Sequence, residues 1–343
     1  MNPWLPTAPC TPGDCATHRG RTRGRPAAAG LLLTGGAVVL AGALAAPFVL
    51  MLGPARRQWL IRRWAYGVVR AFGVRVRITG LPEPAGGKAP DTPSHPTGTS
   101  PGPSHPTGTS PGPSHPTGTA PGPSRPAAGR PRPPGPPGAA AAPPGTLVVA
   151  NHISWLDIPL VAAVFPGRML AKREIRDWPL LGPLAVLGGT LFVERDRLRA
   201  LPTTVRDIAA ALRGGSRVVV FPEGTTWCGH GPGGRFSPAA FQAAIDVGAT
   251  VRPVRITYRT APAGRAGRAP AGGHPAGHRG AAPPEHTGAA AFVGDDPLVA
   301  SLWRVVTAAG LTAEISVLPP IPANGPTDRR ALARLARNLS GGP

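Results

Sequence analysis

A histidine and an aspartate stand five residues apart in the segment Asn151-His152-Ile153-Ser154-Trp155-Leu156-Asp157, directly after an apolar run that predicts a buried strand. A histidine accepts a proton, and a nearby carboxylate fixes its tautomer and stabilises the imidazolium, as in acyl-transfer sites. Five residues along a regular helix are about 140° apart, so the two side chains meet only if His152 lies in a loop and Asp157 in the first helical turn. The alternative is that Asp157 only caps a helix, since Ser154 and Asp157 have the S-x-x-D form of a capping box.

A glutamate follows a second apolar strand in the segment Phe221-Pro222-Glu223-Gly224-Thr225. The proline fixes the turn before it, and the glycine after it lets the backbone approach a ligand closely. Taken alone, the segment is also compatible with an ordinary strand-to-helix turn that has an acidic first residue.

An arginine ends a third strand-like segment, Gly189-Thr190-Leu191-Phe192-Val193-Glu194-Arg195. A planar guanidinium at a strand end can hold a phosphate through two parallel hydrogen bonds. The alternative is a surface arginine that pairs with Glu194 or Asp196.

Taken in their order along the chain, 151–157, 189–195 and 221–225, the three segments resemble the motifs of the lysophospholipid acyltransferase family, specifically the bacterial 1-acyl-sn-glycerol-3-phosphate acyltransferases of the phospholipid/glycerol acyltransferase superfamily. The resemblance covers about residues 58–80 and 145–320. The matching residues are His152 and Asp157 in the first motif, Gly189, Phe192 and Arg195 in the second, and Phe221, Pro222, Glu223, Gly224 and Thr225 in the third. A weaker fourth match, Val251-Arg252-Pro253-Val254, has an arginine where the family usually has an apolar or small residue.

The resemblance implies a mechanism. His152 would deprotonate the free hydroxyl of a lysophospholipid, Asp157 would orient His152, and the alkoxide would attack an acyl thioester without a covalent enzyme intermediate. Arg195 would hold the glycerol phosphate, with Glu223 and Gly224 shaping the pocket, and Gly189, Phe192 and Thr225 complete the expected substrate-binding set. The expected donor is acyl-CoA or acyl carrier protein, and no metal or other cofactor is required. The motifs report the reaction and not the head group, so lysophosphatidate is the first expected acceptor and a lyso-ornithine lipid or another lysophospholipid the alternative.

Composition makes the folded part smaller than the length of 343 residues suggests, because 47 Gly and 48 Pro indicate low-complexity segments. The expected segments are a disordered basic tail (1–26), a disordered Pro/Gly/Thr insertion with a ten-residue repeat (81–144), a flexible insertion (about 261–290) and a partly helical C-terminal tail (323–343). What remains is roughly 220 residues, enough for one domain (145–322) plus a membrane segment.

Cysteine usage argues against two kinds of site. The chain has three cysteines, of which Cys10 and Cys15 fall in the expected tail and Cys228 stands alone. We therefore expect neither a disulfide scaffold nor a Cys-rich zinc site. Cys228 and His230 are also too close in sequence to form a nucleophile and its base readily.

The formal charge of +21 favours anionic partners such as a membrane surface, phosphorylated substrates or nucleic acid. A non-catalytic basic protein that binds nucleic acid or tethers a membrane is therefore the competing class. Many arginines fall in Gly/Pro/Ala tracts, and no aromatic-interleaved basic sheet or recognition-helix pattern is visible, so we expect no nucleic acid partner.

An uncharged stretch from residue 27 to 53 predicts a transmembrane helix, since Leu31 to Leu52 would rise about 33 Å as a helix. A secretory signal peptide is the alternative, with Ala43-Leu44-Ala45 as its cleavage site. Residues 54–80 follow as an interfacial helix, with Leu60, Trp64, Val68 and Phe72 at helical spacing, and then a first strand. The expected location is the cell membrane, with the domain on the cytoplasmic side and, for a single span, the tail outside.

Strand-like and helix-like runs alternate after residue 146, which predicts an α/β sandwich around a largely parallel sheet. The family resemblance implies that this sandwich is of the glycerol-3-phosphate acyltransferase type. Asp295-Asp296-Pro297 is expected to cap a core helix, Leu298 to Thr307, that contains Trp303.

Overall fold

A computed structural model describes residues 7–341, except residues 19, 81–142, 180, 196, 232, 261–284 and 324–327 and the side chain of residue 198. The predicted ten-residue repeat and most of the second predicted insertion lie outside the described residues.

The described strands form one largely parallel sheet, as the sequence predicts. They are β1 (Arg75–Thr79), β2 (Thr146–Ala150), β3 (Arg168–Lys172), β4 (Leu191–Val193), β5 (Val218–Val220), β6 (Thr250–Thr260), β7 (Glu285–His286), β8 (Thr312–Val317) and β9 (Ile321–Pro322). The order is β1-β8-β6-β2-β5-β3-β4, with β7 and β9 also paired to β6. Only the pairs that β6 makes with β7, β8 and β9 are antiparallel among these strands.

Helices cover both faces of this sheet. They are α1 (Pro12–Cys15), α2 (Arg25–Leu50), α3 (Pro54–Ala71), α4 (Asp157–Val164), α5 (Leu181–Leu187), α6 (Leu201–Arg213), α7 (Ala239–Val247), α8 (Leu298–Thr307) and α9 (Arg329–Ser340), with 3-10 turns at Arg173–Asp177 and Leu198–Ala200. Because side chains alternate along a strand, Val148 and Ala150 of β2 face the core under α3, α4 and α8, whereas Leu147 and Val149 face the core under α6, α7 and α9. A strand covered on both faces reads as a continuous apolar run.

Helices α2 and α3 form an antiparallel hairpin. Gly42 of α2 has no side chain to separate the helices, so the Trp64 ring of α3 lies directly against it. The Trp64 indole Nε1 donates to the Val38 carbonyl oxygen at 2.9 Å. Both ends of the hairpin meet at the domain, because the Arg23 guanidinium donates to the carbonyl oxygens of Gly73 and Val306, each at 2.8 Å. This corrects the expectation that a single span places the tail and the domain on opposite sides.

The described residues of the N-terminal tail are folded, in contrast to the disordered tail expected for residues 1–26. Cys10 and Ala16 are buried in the core under α3 and α4. Thr22 forms a β-bridge with Ala308, and the Ala309 amide donates to the Arg21 carbonyl oxygen at 2.9 Å. These contacts are with residues nearly 300 positions away, so the local composition of the tail gave no sign of them.

Two predicted boundaries also shift. Residues 285–290, expected within the flexible insertion, contain β7 and the buried Ala289 and Ala290. The C-terminal segment belongs to the domain rather than to a tail, because Leu332, Ala333 and Ala336 of α9 are buried against the sheet.

Helix α8 has the predicted bounds but not the predicted cap. Its N-cap residue is Pro297, and the Asp296 carboxylate instead pairs with Arg304 at 2.5 Å. Because the Arg304 guanidinium binds the Asp296 carboxylate, that carboxylate does not cap the helix. The expected burial of Trp303 is also wrong, since it is 39% exposed, whereas Ser301, Val305 and Val306 are buried.

Candidate active site

The three predicted motifs come together because they follow parallel strands of one sheet. His152 follows β2, Glu223 follows β5 and Arg195 follows β4. Carboxyl ends of parallel strands lie at one edge of a sheet, where open α/β sheets bind ligands. Three motifs that are separate in the sequence therefore form a single site in the fold.

The imidazole of His152 meets the carboxylate of Asp157. His152 Nδ1 and Asp157 Oδ2 are 2.9 Å apart, and the Asp157 side chain is fully buried. Helix α4 begins at Asp157 while His152 stays in the preceding loop, which is the arrangement that the spacing required. The predicted pair is confirmed in its geometry.

Asp157 also holds the loop that carries the histidine. Its Oδ2 accepts from the backbone N–H groups of Ile153 at 2.6 Å and Ser154 at 2.8 Å, and its Oδ1 accepts from the Tyr258 hydroxyl at 2.7 Å. The Ser154 hydroxyl accepts from the Leu156 N–H and not from Asp157, so only half of the expected capping box forms. One carboxylate thus stabilises the start of the helix and orients the imidazole.

These contacts determine which nitrogen of His152 can act as a base. An ionised carboxylate only accepts hydrogen bonds, so Nδ1 carries the proton that it donates to Asp157, and Nε2 carries the lone pair. The ring is stacked on Phe221, with centroids 4.1 Å apart and planes inclined by 18°. Its side chain is 19% exposed, so solvent or a small substrate reaches it. A histidine held in this way can act as a general base.

Tyr258 completes the support from the sheet side. Burial raises the pKa of its phenol well above the ordinary value, and the charge of Asp157 adds to this. The hydroxyl therefore stays protonated and keeps donating to Asp157.

Glu223 lies beside the histidine, but its carboxylate is turned to the backbone. Oε2 accepts from the His152 N–H at 2.7 Å, and Oε1 accepts from the Gly234 N–H at 2.9 Å. Both oxygens are used within the protein and the residue is 5% exposed. Its described contacts fix the loops on either side, because both carboxylate oxygens accept from backbone N–H groups.

Burial raises the pKa of Glu223 to about 7, from an ordinary value of 4.5. The folded state then binds this proton more tightly than the unfolded state, so the contribution to stability is complete below about pH 4.5 and is lost as the pH rises through about 7. At about 1.4 kcal/mol per pKa unit, the loss is on the order of 3 kcal/mol.

We expect Glu223→Gln, which imitates the protonated acid, to flatten the decline in melting temperature between pH 4.5 and 7. Thermal melting of the full chain in detergent across this range measures the effect. The exposed Glu285→Gln variant is the matched control and should keep the wild-type slope. An equal slope in wild type and Glu223→Gln would contradict the assignment.

Arg195 joins the second motif to the third. Its guanidinium donates to the Gly224 carbonyl oxygen, and burial lowers its pKa below the ordinary value. Glu194, the alternative partner, is instead engaged by Arg173 and lies 3.7 Å from Arg197. Because a guanidinium has five N–H donors, the bond to Gly224 still leaves donors for a phosphate.

The other predicted binding residues lie in different parts of the fold. Gly189 is at the opposite end of β4 from Arg195, with φ of 68° and its carbonyl oxygen accepting from Arg168 Nε at 2.6 Å. It makes the turn after α5 and is not part of the carboxyl edge, which corrects its assignment. Phe192 lies within β4, with the Arg176 guanidinium 6.0 Å from its ring. Thr225 follows Gly224 in the turn after β5.

A cavity of about 440 Å³ opens beside His152 on the polar face of β6 and β8. Its charged lining comprises Glu223, Arg255, Arg259, Glu314 and Arg337, and its histidines are His152, His230 and His286. Arg259 pairs with Glu314 at 3.3 Å, and Arg255 donates to the Leu339 carbonyl oxygen at 2.6 Å. Three arginines against two glutamates give the lining a positive balance.

Three residues that support the dyad were not recognised in the sequence. Tyr258 sits in a strand that reads as ordinary core. The Asn151 side chain bridges β2 to β6, donating to the Ile256 carbonyl oxygen at 2.9 Å and accepting from its N–H at 2.8 Å. The backbone N–H of Trp227 donates to the His152 carbonyl oxygen at 2.7 Å. The available signal was a polar residue, Asn151, directly after the apolar strand β2.

Several known proteins are similar to this chain. The Acyltransferase family profile matches residues 138–257. The lyso-ornithine lipid O-acyltransferase of Pseudomonas aeruginosa is 37% identical over 191 residues, which is 56% of this chain and 64% of that protein. The 1-acyl-sn-glycerol-3-phosphate acyltransferase of Neisseria gonorrhoeae is 36% identical over 188 residues, 54% of this chain and 64% of that protein.

Two further comparisons cover a larger share of the compared protein's length. The lyso-ornithine lipid O-acyltransferase of Brucella abortus is 32% identical over 202 residues, 56% of this chain and 68% of that protein. The crystal structure of the 1-acyl-sn-glycerophosphate acyltransferase PlsC from Thermotoga maritima superposes with a TM-score of 0.53 at 16% identity, covering 90% of this chain and 91% of that one. The sequence relatives from Pseudomonas and Neisseria are thus spanned over just under two thirds of their length, and the PlsC structure shows a shared fold.

Proposed function

Since this chain belongs to the acyltransferase family, of the lysophospholipid type, we propose that it moves a fatty acyl group from an acyl thioester to the free hydroxyl of 1-acyl-sn-glycerol-3-phosphate, giving phosphatidate. The observation that carries the proposal is the His152–Asp157 pair, 2.9 Å apart at the carboxyl edge of the sheet and beside an arginine-lined cavity.

The proposed chemistry is direct transfer. His152 Nε2 takes the proton of the acceptor hydroxyl as its oxygen attacks the thioester carbonyl carbon. A C–O bond forms, the C–S bond breaks, and the imidazolium returns its proton to the leaving thiolate. Asp157 positions the ring and balances its transient positive charge.

The charges beside His152 favour an anionic head group. Lysophosphatidate brings a phosphate, whereas an ornithine head group brings an ammonium as well as a carboxylate. The two glutamates that line the cavity are both engaged, Glu223 by backbone N–H groups and Glu314 by Arg77 and Arg259. An ammonium would therefore meet arginines without an unpaired glutamate in this lining. Arg195, fixed by Gly224, is the proposed phosphate ligand.

Membrane attachment is the second part of the proposal. Helix α2 has 26 residues, and its apolar side chains are largely exposed, with Leu33 75% and Phe48 72% exposed. Burying them in lipid would remove this apolar surface from water. Since Arg23 and Gly73 are hydrogen-bonded, the hairpin enters and leaves on one face, which we take as the cytoplasmic one. A cleaved signal peptide would remove the α2 surface that Trp64 binds. Full-length protein in the supernatant after sedimentation with phospholipid vesicles would contradict this attachment.

Acceptor competition tests the head-group assignment. Full-length protein in vesicles receives an acyl-CoA together with equal amounts of lysophosphatidate and lyso-ornithine lipid, and both products are quantified by mass spectrometry. We expect kcat/KM to favour lysophosphatidate by about tenfold or more, equivalent to about 1.4 kcal/mol. Arg195→Lys should raise KM for lysophosphatidate more than for the ornithine lipid, because it removes the bidentate geometry.

Preference for the lyso-ornithine lipid would reject lysophosphatidate as the acceptor while leaving the acyl-transfer chemistry in place. That result would make the lyso-ornithine lipid acyltransferase activity, named for relatives in Pseudomonas and Brucella, the better proposal.

A further inference from the structure

The three cysteines of the chain come together in space. Cys10 and Cys15 belong to the N-terminal tail and Cys228 to the loop after β5. Their three sulfur atoms lie within 4.8 Å of one another, with Cys10 and Cys228 buried and Cys15 partly exposed. All three are free cysteines. The sequence had argued against such a cluster because two of its members stood in an expected disordered tail.

Contacts that do not involve sulfur build this convergence. The turn of α1 closes with the Cys15 N–H donating to the Thr11 carbonyl oxygen at 3.0 Å. The Arg23 guanidinium anchors the far end of the tail on the domain. On the other side, Trp227, next to Cys228, is bound to the His152 carbonyl oxygen. These contacts thus place the thiols of the N-terminal tail next to the thiol of the loop after β5.

The chemistry of the cluster fits a thiophilic cation better than a disulfide. Cys10 and Cys15 are separated by four residues, a spacing found between zinc ligands, and Cys228 adds a third sulfur from a distant segment. Tetrahedral Zn–S bonds of about 2.3 Å place sulfur atoms about 3.8 Å apart, so a shift of about 1 Å closes the cluster on the ion. A disulfide would use two of the sulfurs and leave the third without a role.

We propose that Cys10, Cys15 and Cys228 bind one Zn²⁺ ion as thiolates, with a water molecule as the fourth ligand on the partly exposed Cys15 side. Each thiol releases its proton when the ion binds. The ion takes no part in acyl transfer. It ties the N-terminal tail to the loop that holds the His152 carbonyl oxygen, and so it stabilises the site from behind.

The test uses full-length protein purified in detergent under reducing conditions without chelator. Elemental analysis should find about one zinc per chain, and replacement by Co²⁺ should give the thiolate-to-metal charge-transfer absorption. Cys10→Ser, Cys15→Ser and Cys228→Ser should each lower metal affinity by about tenfold or more. Thr17→Ser, an exposed change in the same tail, is the matched control and should keep the wild-type zinc content. Removing the metal with a chelator should lower the melting temperature of the wild type.

Two results would overturn the proposal. The first is reduced wild-type protein that carries no stoichiometric zinc and gives no charge-transfer absorption with Co²⁺. The second is an intact mass lower by two hydrogens with a single alkylatable thiol, which would show a disulfide. Both measurements use the wild-type chain, so they decide the question even if a serine variant does not fold.

Discussion

Replacing His152 with alanine is expected to lower kcat for acyl transfer by about 10²- to 10⁴-fold. The reason is that the contact between His152 Nδ1 and Asp157, at 2.9 Å, leaves the lone pair on Nε2 to accept the proton of the acceptor hydroxyl. KM for the acceptor should change much less, because in the proposed mechanism Arg195 holds the phosphate and the imidazole acts on the transferring proton. Initial rates at varied lysophosphatidate, with saturating acyl-CoA, separate the two constants.

The control for this variant is His286→Ala, which removes another histidine that lines the same cavity but lies in the exposed strand β7. Its kcat should stay within a few-fold of wild type. Loss of activity in both variants would indicate that the cavity depends on its histidines in general. Retention of activity in His152→Ala would show that another group removes the proton.

Replacing Asp157 with asparagine is expected to cost about as much as removing the imidazole, again about 10²- to 10⁴-fold in kcat. An amide offers one oxygen where the carboxylate accepts four hydrogen bonds, from His152 Nδ1, two backbone N–H groups and the Tyr258 hydroxyl. The amide –NH₂ group can also donate to the ring and so favour the wrong tautomer. The measurement is kcat with its pH profile, together with circular dichroism to check the fold.

Two companion variants make the Asp157 prediction decisive. Tyr258→Phe removes only the bond to Oδ1 and should cost about 10- to 100-fold, since a hydrogen bond to a charged group contributes about 1.5–3 kcal/mol. The double variant His152→Ala with Asp157→Asn should be no slower than His152→Ala alone, because the aspartate acts through the histidine. Additive losses in the double variant would assign Asp157 a separate role.

The sequence was most informative where local pattern determines structure. The apolar runs at 146–150, 191–193 and 218–220 are strands, and Asp157 begins a helix, so the base and its orienter meet as predicted. Parallel strands explain why three motifs spread over more than seventy residues share one edge. The family resemblance added the reaction.

What the sequence could not predict depends on contacts between distant segments. The antiparallel hairpin depends on glycines in α2 that face Trp64 of α3 and Phe72, the residue directly after α3, and helical spacing alone does not identify a partner helix. Glu223 was expected to face the substrate, but two backbone N–H groups come within hydrogen-bonding distance only in the fold. The cysteine cluster is a similar case, since composition placed Cys10 and Cys15 in a tail that proved to be packed.

The most direct test of the central claim is lipid product analysis with purified full-length protein in phospholipid vesicles. Wild type and His152→Ala are incubated side by side with an acyl-CoA and lysophosphatidate, and diacyl product is followed by mass spectrometry over time. We expect phosphatidate from the wild type and only background from the variant. Equal product from both proteins, or no diacyl lipid from the wild type with lysophosphatidate or lyso-ornithine lipid, would contradict it.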